Sequence, residues 1–445
     1  MQLPSSAIVN VWHYTVSIQQ RQGLDRGFML PRRRRPDYSS CNPGAIRDDS
    51  PAAGTLPGKN LAALRTALPA PAEEVPVRVT LRAVAAIGAV ALLAAACGSP
   101  SSSSPSSTSG SSASGKFLGC MVTDTGGIDD KSFNQSSWQG MQAAAATDPS
   151  KIKVTYLPST TSADYASNIS TFIGRKCGII VTVGFLMADA TEAAAKANPK
   201  QKFAIVDCSY ASECLTGAKE TNIDQLVFDT VEDGFLGGYL AAAMSKSHVV
   251  ATYGGENFGT VTIYEDGFWD GVQYYNQQKH ASVKVLGWNE QTQKGDFIGN
   301  FTNVGAGQTL TNTFIGEGAD IIFPVAGGVG LGTAKAVQTA DTSGKSVSME
   351  WVDTDGCVSA AQYCKYMLTS VTKGITEAVK TAVLAAANGS FHGGTYIGTL
   401  ANGGAVLSPY HDFSSKVPAS LQAEINTLKQ DIISGKIKPA TKSPV

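Results

Sequence analysis

The chain has 445 residues, 43% of them hydrophobic and 16% charged, enough for two domains with sizeable cores. Residues 1–96 carry 11 Lys and Arg against 6 Asp and Glu, which leaves 24 against 30 in residues 97–445. An acidic body argues against nucleic-acid binding, which rests on cations neutralising phosphates. No apolar run reaches the roughly 18–20 residues of a spanning helix, which argues against a channel or permease, and His-based catalysis has only 5 histidines to draw on.

Residues 1–77 contain Arg32–Arg35, many prolines and no periodicity. They are read as a disordered extension upstream of a true start near Val77 or Val79. Next, Arg78 and Arg82 precede the mostly apolar Ala83–Ala96, followed by Cys97-Gly98-Ser99. A basic segment, a short apolar segment and small residues describe an export signal, here over 78–96. The cysteine after the small residues makes it resemble a bacterial lipoprotein signal, although Ala94 stands where leucine is usual. The resemblance implies that Cys97 is diacylated and tethers the protein to a membrane. Two acyl chains anchor where one would exchange, since each buried CH₂ contributes roughly 0.8 kcal/mol. Residues 98–114 include 11 serines and cannot bury apolar surface, so 97–115 reads as a flexible lipidated tether.

From Lys116 onward, apolar runs alternate with amphipathic stretches. Strands are expected at Phe117–Thr123, Lys153–Leu157, Ile179–Gly184, Phe203–Asp207 and Leu226–Phe228, with helices at Ser136–Ala146, Ala163–Phe172 and Ala188–Asn198. The pattern restarts with strands at Val249–Tyr253, Val283–Gly287, Asp320–Val325 and Val347–Val352, and helices at Thr262–Gln278, Gln308–Glu317 and Thr333–Ala340. Continuous apolar strands suit parallel sheets covered on both faces, so two doubly wound α/β lobes are expected. Ligands of such lobes sit at the carboxyl ends of strands, which singles out Asp124, Gly184, Asp207, Gly254, Ala326 and Asp353.

Six cysteines lie in the body, allowing 15 pairings, in a setting where disulfides persist. Short spacing favours Cys208 with Cys214 and Cys357 with Cys364, leaving Cys120 with Cys177 on neighbouring strands. No C-x₂-C pair is present, so no metal is expected. The chain also lacks H-E-x-x-H, G-x-S-x-G and a Walker A loop. The glycine-rich turn Ala326–Gly332 misses dinucleotide spacing but lets a ligand approach backbone N–H groups. Asp129-Asp130 reads most simply as a turn or helix cap.

The run Val122-Thr123-Asp124-Thr125-Gly126-Gly127-Ile128-Asp129-Asp130-Lys131-Ser132-Phe133-Asn134-Gln135 closely resembles the basic membrane protein family, lipoprotein substrate-binding components of ABC importers of which the best known bind purine nucleosides. The likeness continues through Phe203–Asp207, Glu232–Gly238, Asp266–Gly271, Phe323–Gly328, Trp351–Asp355 and Leu368–Lys373. It implies a type I periplasmic-binding-protein fold, with lobe 1 at 116–230 and 372–398 and lobe 2 at 231–371 and 399–445. It further implies that Phe133 and Phe268, one from each lobe, sandwich a base, and that Asp207 and Asn134 bind the base edge. Asp353 and Lys373 would hold ribose hydroxyls beside the N–H groups of Gly327 and Gly328, unless that pair is an interlobe ion pair. Asp124 either fixes the first loop or touches ligand. Phe185 is a candidate third aromatic contact, at a cleft edge narrowed by the Cys208–Cys214 loop.

The expected protein is a lipid-anchored, extracytoplasmic, monomeric, non-enzymatic binding protein that takes no cofactor. It would deliver a nucleoside to ABC permease subunits and bind no nucleic acid. The rivals are a binding protein for a sugar or other small polar solute, and a nucleoside-processing enzyme, for which no nucleophile or metal cluster is visible.

Overall fold

The computed structural model describes residues 115–445 except 213, 218 and 444. Cys97, the signal at 78–96, residues 1–77 and the tether up to residue 114 lie outside the described residues.

The first lobe begins as a βαβ series: β1 (Phe117–Thr125), α1 (Phe133–Thr147), β2 (Ile152–Ser159), α2 (Asp164–Gly174), β3 (Ile179–Val183), α3 (Ala188–Ala197), β4 (Phe203–Val206) and β5 (Ile223–Phe228). The chain then enters the second lobe through α4 (Val231–Met244), β6 (Val249–Gly254), α5 (Gly259–Lys279) and β7 (Lys284–Leu286). A small antiparallel pair follows, β8 (Trp288–Asn289) with β9 (Lys294–Gly295), and then α6 (Val304–Gly316), β10 (Ile321–Val325), α7 (Gly330–Thr342), β11 (Ser348–Asp353), the short α8 (Gly356–Ser359) and β12 (Met367–Lys373). It returns to the first lobe for α9 (Ile375–Asn388) and β13 (Gly394–Gly398), and ends in the second with β14 (Ala405–Leu407) and α10 (Ala419–Ile433).

The first sheet has the order β13-β5-β4-β3-β1-β2 and is parallel throughout. The second is β14-β12-β11-β10-β6-β7, with only β14 antiparallel. Both are doubly wound, and β1/β3 and β6/β10 are the points where strand order reverses. Central strands β3 and β10 are buried at every residue, whereas edge strand β13 alternates. Three passages join the lobes, after β5, β12 and β13, and they are tied together. Asp229 N donates to Gly398 O at 2.7 Å, and Gly374 N donates to Gly404 O at 2.8 Å. Thr372 and Lys373, assigned from sequence to the first lobe, are paired as the last residues of β12 in the second sheet.

In the second lobe α4 and α5 approach backbone to backbone. A Cβ at Gly238 would overlap the carbonyl oxygen of Phe268, and one at Gly271 would overlap that of Phe235. Only glycine permits this approach, and it draws the middle of α5 into the core.

Three disulfides, Cys120–Cys177, Cys208–Cys214 and Cys357–Cys364, have Cα separations of 6.0, 5.4 and 4.5 Å, all as expected from spacing and neighbouring strands. No helix among the described residues is long and apolar enough to cross a membrane.

The core of the second lobe also holds a carboxyl group with no hydrogen-bond partner among the described residues. Glu350, at the centre of β11, is fully buried, and neither of its oxygens is hydrogen-bonded. Burial pushes its pKa well above the ordinary value of 4.5. The folded state therefore keeps a proton that the unfolded chain releases above that value, and stability falls as pH rises through this range. Asp233 and Glu265 are raised by burial in the same way. Replacing Glu350 with methionine removes an unsatisfied polar group that costs about 1–3 kcal/mol. Thermal unfolding should show a higher Tm at neutral pH and a shallower decline between pH 5 and 8. A lower Tm at both ends would show that the carboxyl stabilises this core.

Candidate functional site

The carboxyl ends of the two sheets face one another, and the cavity between them has an empty volume of about 610 Å³, part of it open to solvent. Nine of the ten candidate residues line it: Asp124, Phe133, Asn134, Phe185, Asp207, Gly327, Gly328, Asp353 and Lys373. The tenth, Phe268, does not. Its ring is fully buried in the core of the second lobe, 5.5 Å from that of Phe323. The cavity is reached instead by Tyr264, four residues earlier on the same face of α5. Tyr264 is fully buried too and packs on Phe323 in the same core, 5.9 Å away, so one helical turn, held by the α4 contact, separates a ring wholly inside the core from one at its cleft wall.

On the first lobe, the β1–α1 turn builds one wall. Asp130 accepts from the N–H groups of Ser132 (3.0 Å), Asn134 (2.8 Å) and Gln135 (3.0 Å), so it caps α1 as its position suggested. That cap sets Phe133, the first residue of α1, against the cavity. Asn134 Nδ2 donates to Asp124 Oδ1 at 2.8 Å, which orients both side chains. Burial raises Asp124 to about 8 and Asp130 to about 6. At neutral pH Asp124 is therefore largely a neutral carboxyl that can donate as well as accept.

Lys373, at the end of β12, bridges the lobes. Its ammonium pairs with Asp207, at the end of β4, and lies 3.9 Å from Asp353 Oδ1, at the end of β11. The interlobe ion pair is thus Lys373 with Asp207, because Asp353 and Lys373 sit on adjacent strands of one sheet. Burial drives Asp207 up, to about 6, against the pull of the ammonium. The same ammonium lies 5.5 Å from the Phe133 ring centroid and 5.0 Å from that of Tyr264. Rings from the two lobes therefore border one small space. Tyr264 OH donates to Asp353 Oδ1 at 3.3 Å.

Asp207 and Asp353 have φ angles of 61° and 66°, left-handed conformations that L-residues adopt at a cost. They occupy equivalent strand ends in the two lobes, and such strain concentrates where side-chain direction matters more than local stability. Gly327 (φ 53°) and Gly328 bring backbone to the cavity opposite the β1–α1 turn.

The lobes are latched beside the cavity. Trp351 Nε1 and Ser359 Oγ both donate to Lys131 O, at 3.1 and 2.7 Å, and Ser132 Oγ lies 2.8 Å from Asp353 Oδ2. At the mouth, Phe185 of the first lobe stacks on Phe258 of the second, with centroids 4.6 Å apart and planes inclined by 13°. Phe258, Thr260, Tyr264 and Phe301 line the cavity without having been foreseen. Gly254 was recognised as a strand end, and reading on through the loop to the first turns of α5 would have reached three of them.

Among the described residues, one group has metal-ligand proximity: Asp355, Cys357 and His411. The Cys357 sulfur is committed to Cys364, and His411 Nε2 lies 2.7 Å from Asp355 Oδ2, so the group reads as a structural clamp.

The family model described as "ABC transporter substrate-binding protein PnrA-like" (Bmp) matches residues 117–442. The CD4+ T-cell-stimulating antigen of Listeria monocytogenes is 33% identical over 339 residues, covering 73% of this chain and 88% of that protein. The ABC transporter nucleoside-binding protein BmpA of Lactococcus lactis is 28% identical over 334 residues, covering 72% and 88%. A solute-binding protein of an ABC transporter system from Aeropyrum pernix is similar in fold, with a TM-score of 0.63 at 23% identity, over 72% of this chain and 92% of that one. The chain therefore belongs to the Bmp family of PnrA-like ABC-transporter substrate-binding proteins, which implies a small-molecule ligand, permease partners and an extracytoplasmic location.

Proposed function

We propose that this substrate-binding protein is anchored to the membrane by lipid on Cys97 and captures a purine nucleoside between its lobes for delivery to the permease. The observation that carries the reading is the pair of rings, Phe133 and Tyr264, bordering one space from opposite lobes. A planar base held there gains offset stacking on both faces, and the second ring arrives only as the cleft shuts. The nucleoside-binding role in the name of the Lactococcus relative supports the same ligand class.

The polar groups fit a base and a sugar. Asn134, Asp124 and Asp207 offer donors and acceptors along one side of the ring space, and Asp353, Lys373 and the Gly327–Gly328 backbone offer them along another. Groups built to hold hydroxyls discriminate strongly, because an analogue lacking the hydroxyl leaves them unpaired. Even with Asp124 neutral, Asp130, Asp207 and Asp353 outnumber the one lysine lining the cavity, so a phosphorylated ligand meets repulsion.

The test is calorimetric titration of the protein, unfolded and refolded to strip carried-over ligand. The panel is inosine, guanosine, adenosine, uridine, free ribose and inosine monophosphate. Sub-micromolar binding of a purine nucleoside is expected, with the monophosphate at least 100-fold weaker, which corresponds to roughly 2.7 kcal/mol. Tighter binding of ribose than of any nucleoside, or no heat with any nucleoside, would remove the assignment.

A further inference from the structure

The segment Ala440–Ser443 lies along α5 on the side away from the cavity. Ala440 N donates to Asp270 Oδ2 at 3.0 Å, and Thr441 Oγ1 and Lys442 N donate to Asp266 Oδ2 at 2.8 and 3.1 Å. Ser443 Oγ lies 2.7 Å from Thr262 Oγ1. Thr262, Asp266 and Asp270 recur every fourth residue, so the segment follows one stripe of the helix toward its N-terminal end. Lys442 Nζ donates to the carbonyls of Glu290 and Gln291 at 3.0 and 2.9 Å, which fastens the segment to the β8–β9 turn as well.

Asp266 is the centre of this arrangement. It is fully buried, and its other oxygen accepts from Trp288 Nε1 at 3.0 Å and Gln293 Nε2 at 2.9 Å. A buried carboxylate needs all of these donors, and losing half of them leaves one oxygen without a partner. Thr260 and Tyr264 lie two residues either side of Thr262, so at 100° per residue they project from the opposite side of the helix. Both line the cavity, as does Phe258, whose carbonyl accepts from Thr262 Oγ1 at 3.2 Å. The segment and the second lobe's aromatic wall thus grip the same two turns of α5 from opposite sides.

We propose that residues 440–443 form a strap that positions the first two turns of α5, and so controls ligand affinity without touching the ligand. Thr441 and Asp266 are its positioning residues. The affinity part of the inference rests on the nucleoside reading of the cleft; the positioning part does not.

The test compares Thr441→Val with Thr441→Ser in the full chain. Valine keeps the shape and removes the donor to Asp266, whereas serine keeps the donor. Two readouts are taken, inosine affinity by calorimetry and hydrogen exchange of the amides of Gly259–Tyr264. T441V should bind inosine roughly 3- to 30-fold more weakly, the range seen for residues that modulate a site indirectly. It should also exchange faster over Gly259–Tyr264, while T441S stays within about twofold of the parent in both. In a Phe258→Ala background the T441V effect on affinity should shrink, because one ring that the strap positions is gone. A lower Tm with unchanged affinity and unchanged exchange would overturn the strap, as would equal losses in T441S. If the parent chain binds no nucleoside, the cleft reading fails on its own, and exchange over Gly259–Tyr264 alone decides the strap.

Discussion

Replacing Lys373 with methionine is expected to cost more ligand affinity than any other single change in the cleft, while leaving the fold nearly as stable as before. Lys373 is buried, and it is the only cation among the described residues that line the cavity. Its ammonium faces Asp207 from the other lobe and Asp353 from its own. Removing one partner of a buried ion pair costs about 3–5 kcal/mol, because the remaining charge stays unpaired in a poor solvent. Here the protein has a cheaper escape than unfolding. The pair spans the cleft, so opening the lobes hydrates Asp207 and relieves most of the penalty. The cost should therefore appear as a shift toward the open state. Closure-dependent binding would weaken by roughly 100- to 1,000-fold, taking the lower part of that range. Small-angle scattering of K373M should show a larger radius of gyration with inosine present than the parent shows, with Tm changed by only a few degrees. A Tm that collapses with no change in radius would show that the ion pair holds the fold rather than the closed cleft.

Substitutions on α5 should separate cleft from core within one helical turn. Phe133→Ala and Tyr264→Ala are each expected to weaken nucleoside binding by about 1–3 kcal/mol, the range for loss of an aromatic ring stacked on a base. Tyr264→Phe should fall between, since it keeps the ring and loses the hydrogen bond to Asp353. Phe268→Ala, four residues on, should instead cost about 3–5 kcal/mol of stability through the cavity it leaves. Phe268→Leu, which fills most of that space, should keep affinity within about threefold of the parent. Parallel calorimetry and thermal unfolding check the contrast. A large affinity loss in F268L with Y264A unaffected would restore Phe268 as the ring that meets ligand and exclude Tyr264.

The latch beside the cavity fits the same view of closure. Lys131 O gathers donors from Trp351 and Ser359, and Ser132 reaches Asp353. Lys131 and Ser132 lie in the β1–α1 turn and Ser359 ends the short α8, whereas Trp351 and Asp353 belong to the carboxyl-terminal half of β11. The bonds all run to the β1–α1 turn, so they can part and re-form as the lobes rotate while Trp351 stays in the core of its own lobe.

Much of this molecule was legible along the chain. Parallel strands buried on both faces leave uninterrupted apolar runs, so β1, β3, β4, β6 and β10 could be placed from sequence nearly to the residue. Strand ends then pointed to the cleft, because ligands in doubly wound sheets meet the carboxyl edge. Asp124, Asp207 and Asp353 followed from that rule, and the two local disulfides followed from spacing. Helix starts were less legible. Helices α1, α5, α6 and α7 begin three or four residues before the apolar periodicity does. The first turns of α1 and α5 line the cavity, where no core selects for apolar residues at helical spacing, and they carry Phe133 and Thr260.

What only the tertiary structure decided is which residues meet across the lobes. Sequence determines period and strand ends, since these follow from local backbone geometry and burial. It does not determine how far α5 slides along α4. The glycine contacts set that distance, placing Tyr264 in the cleft and Phe268 one turn deeper in the core. Nor does it show that Lys373 finds Asp207, or that Thr441 finds Asp266. These partners lie 166 and 175 residues apart. Contacts of that range leave no periodic trace in a single chain, and they exist only once two lobes and a strap are folded against one another.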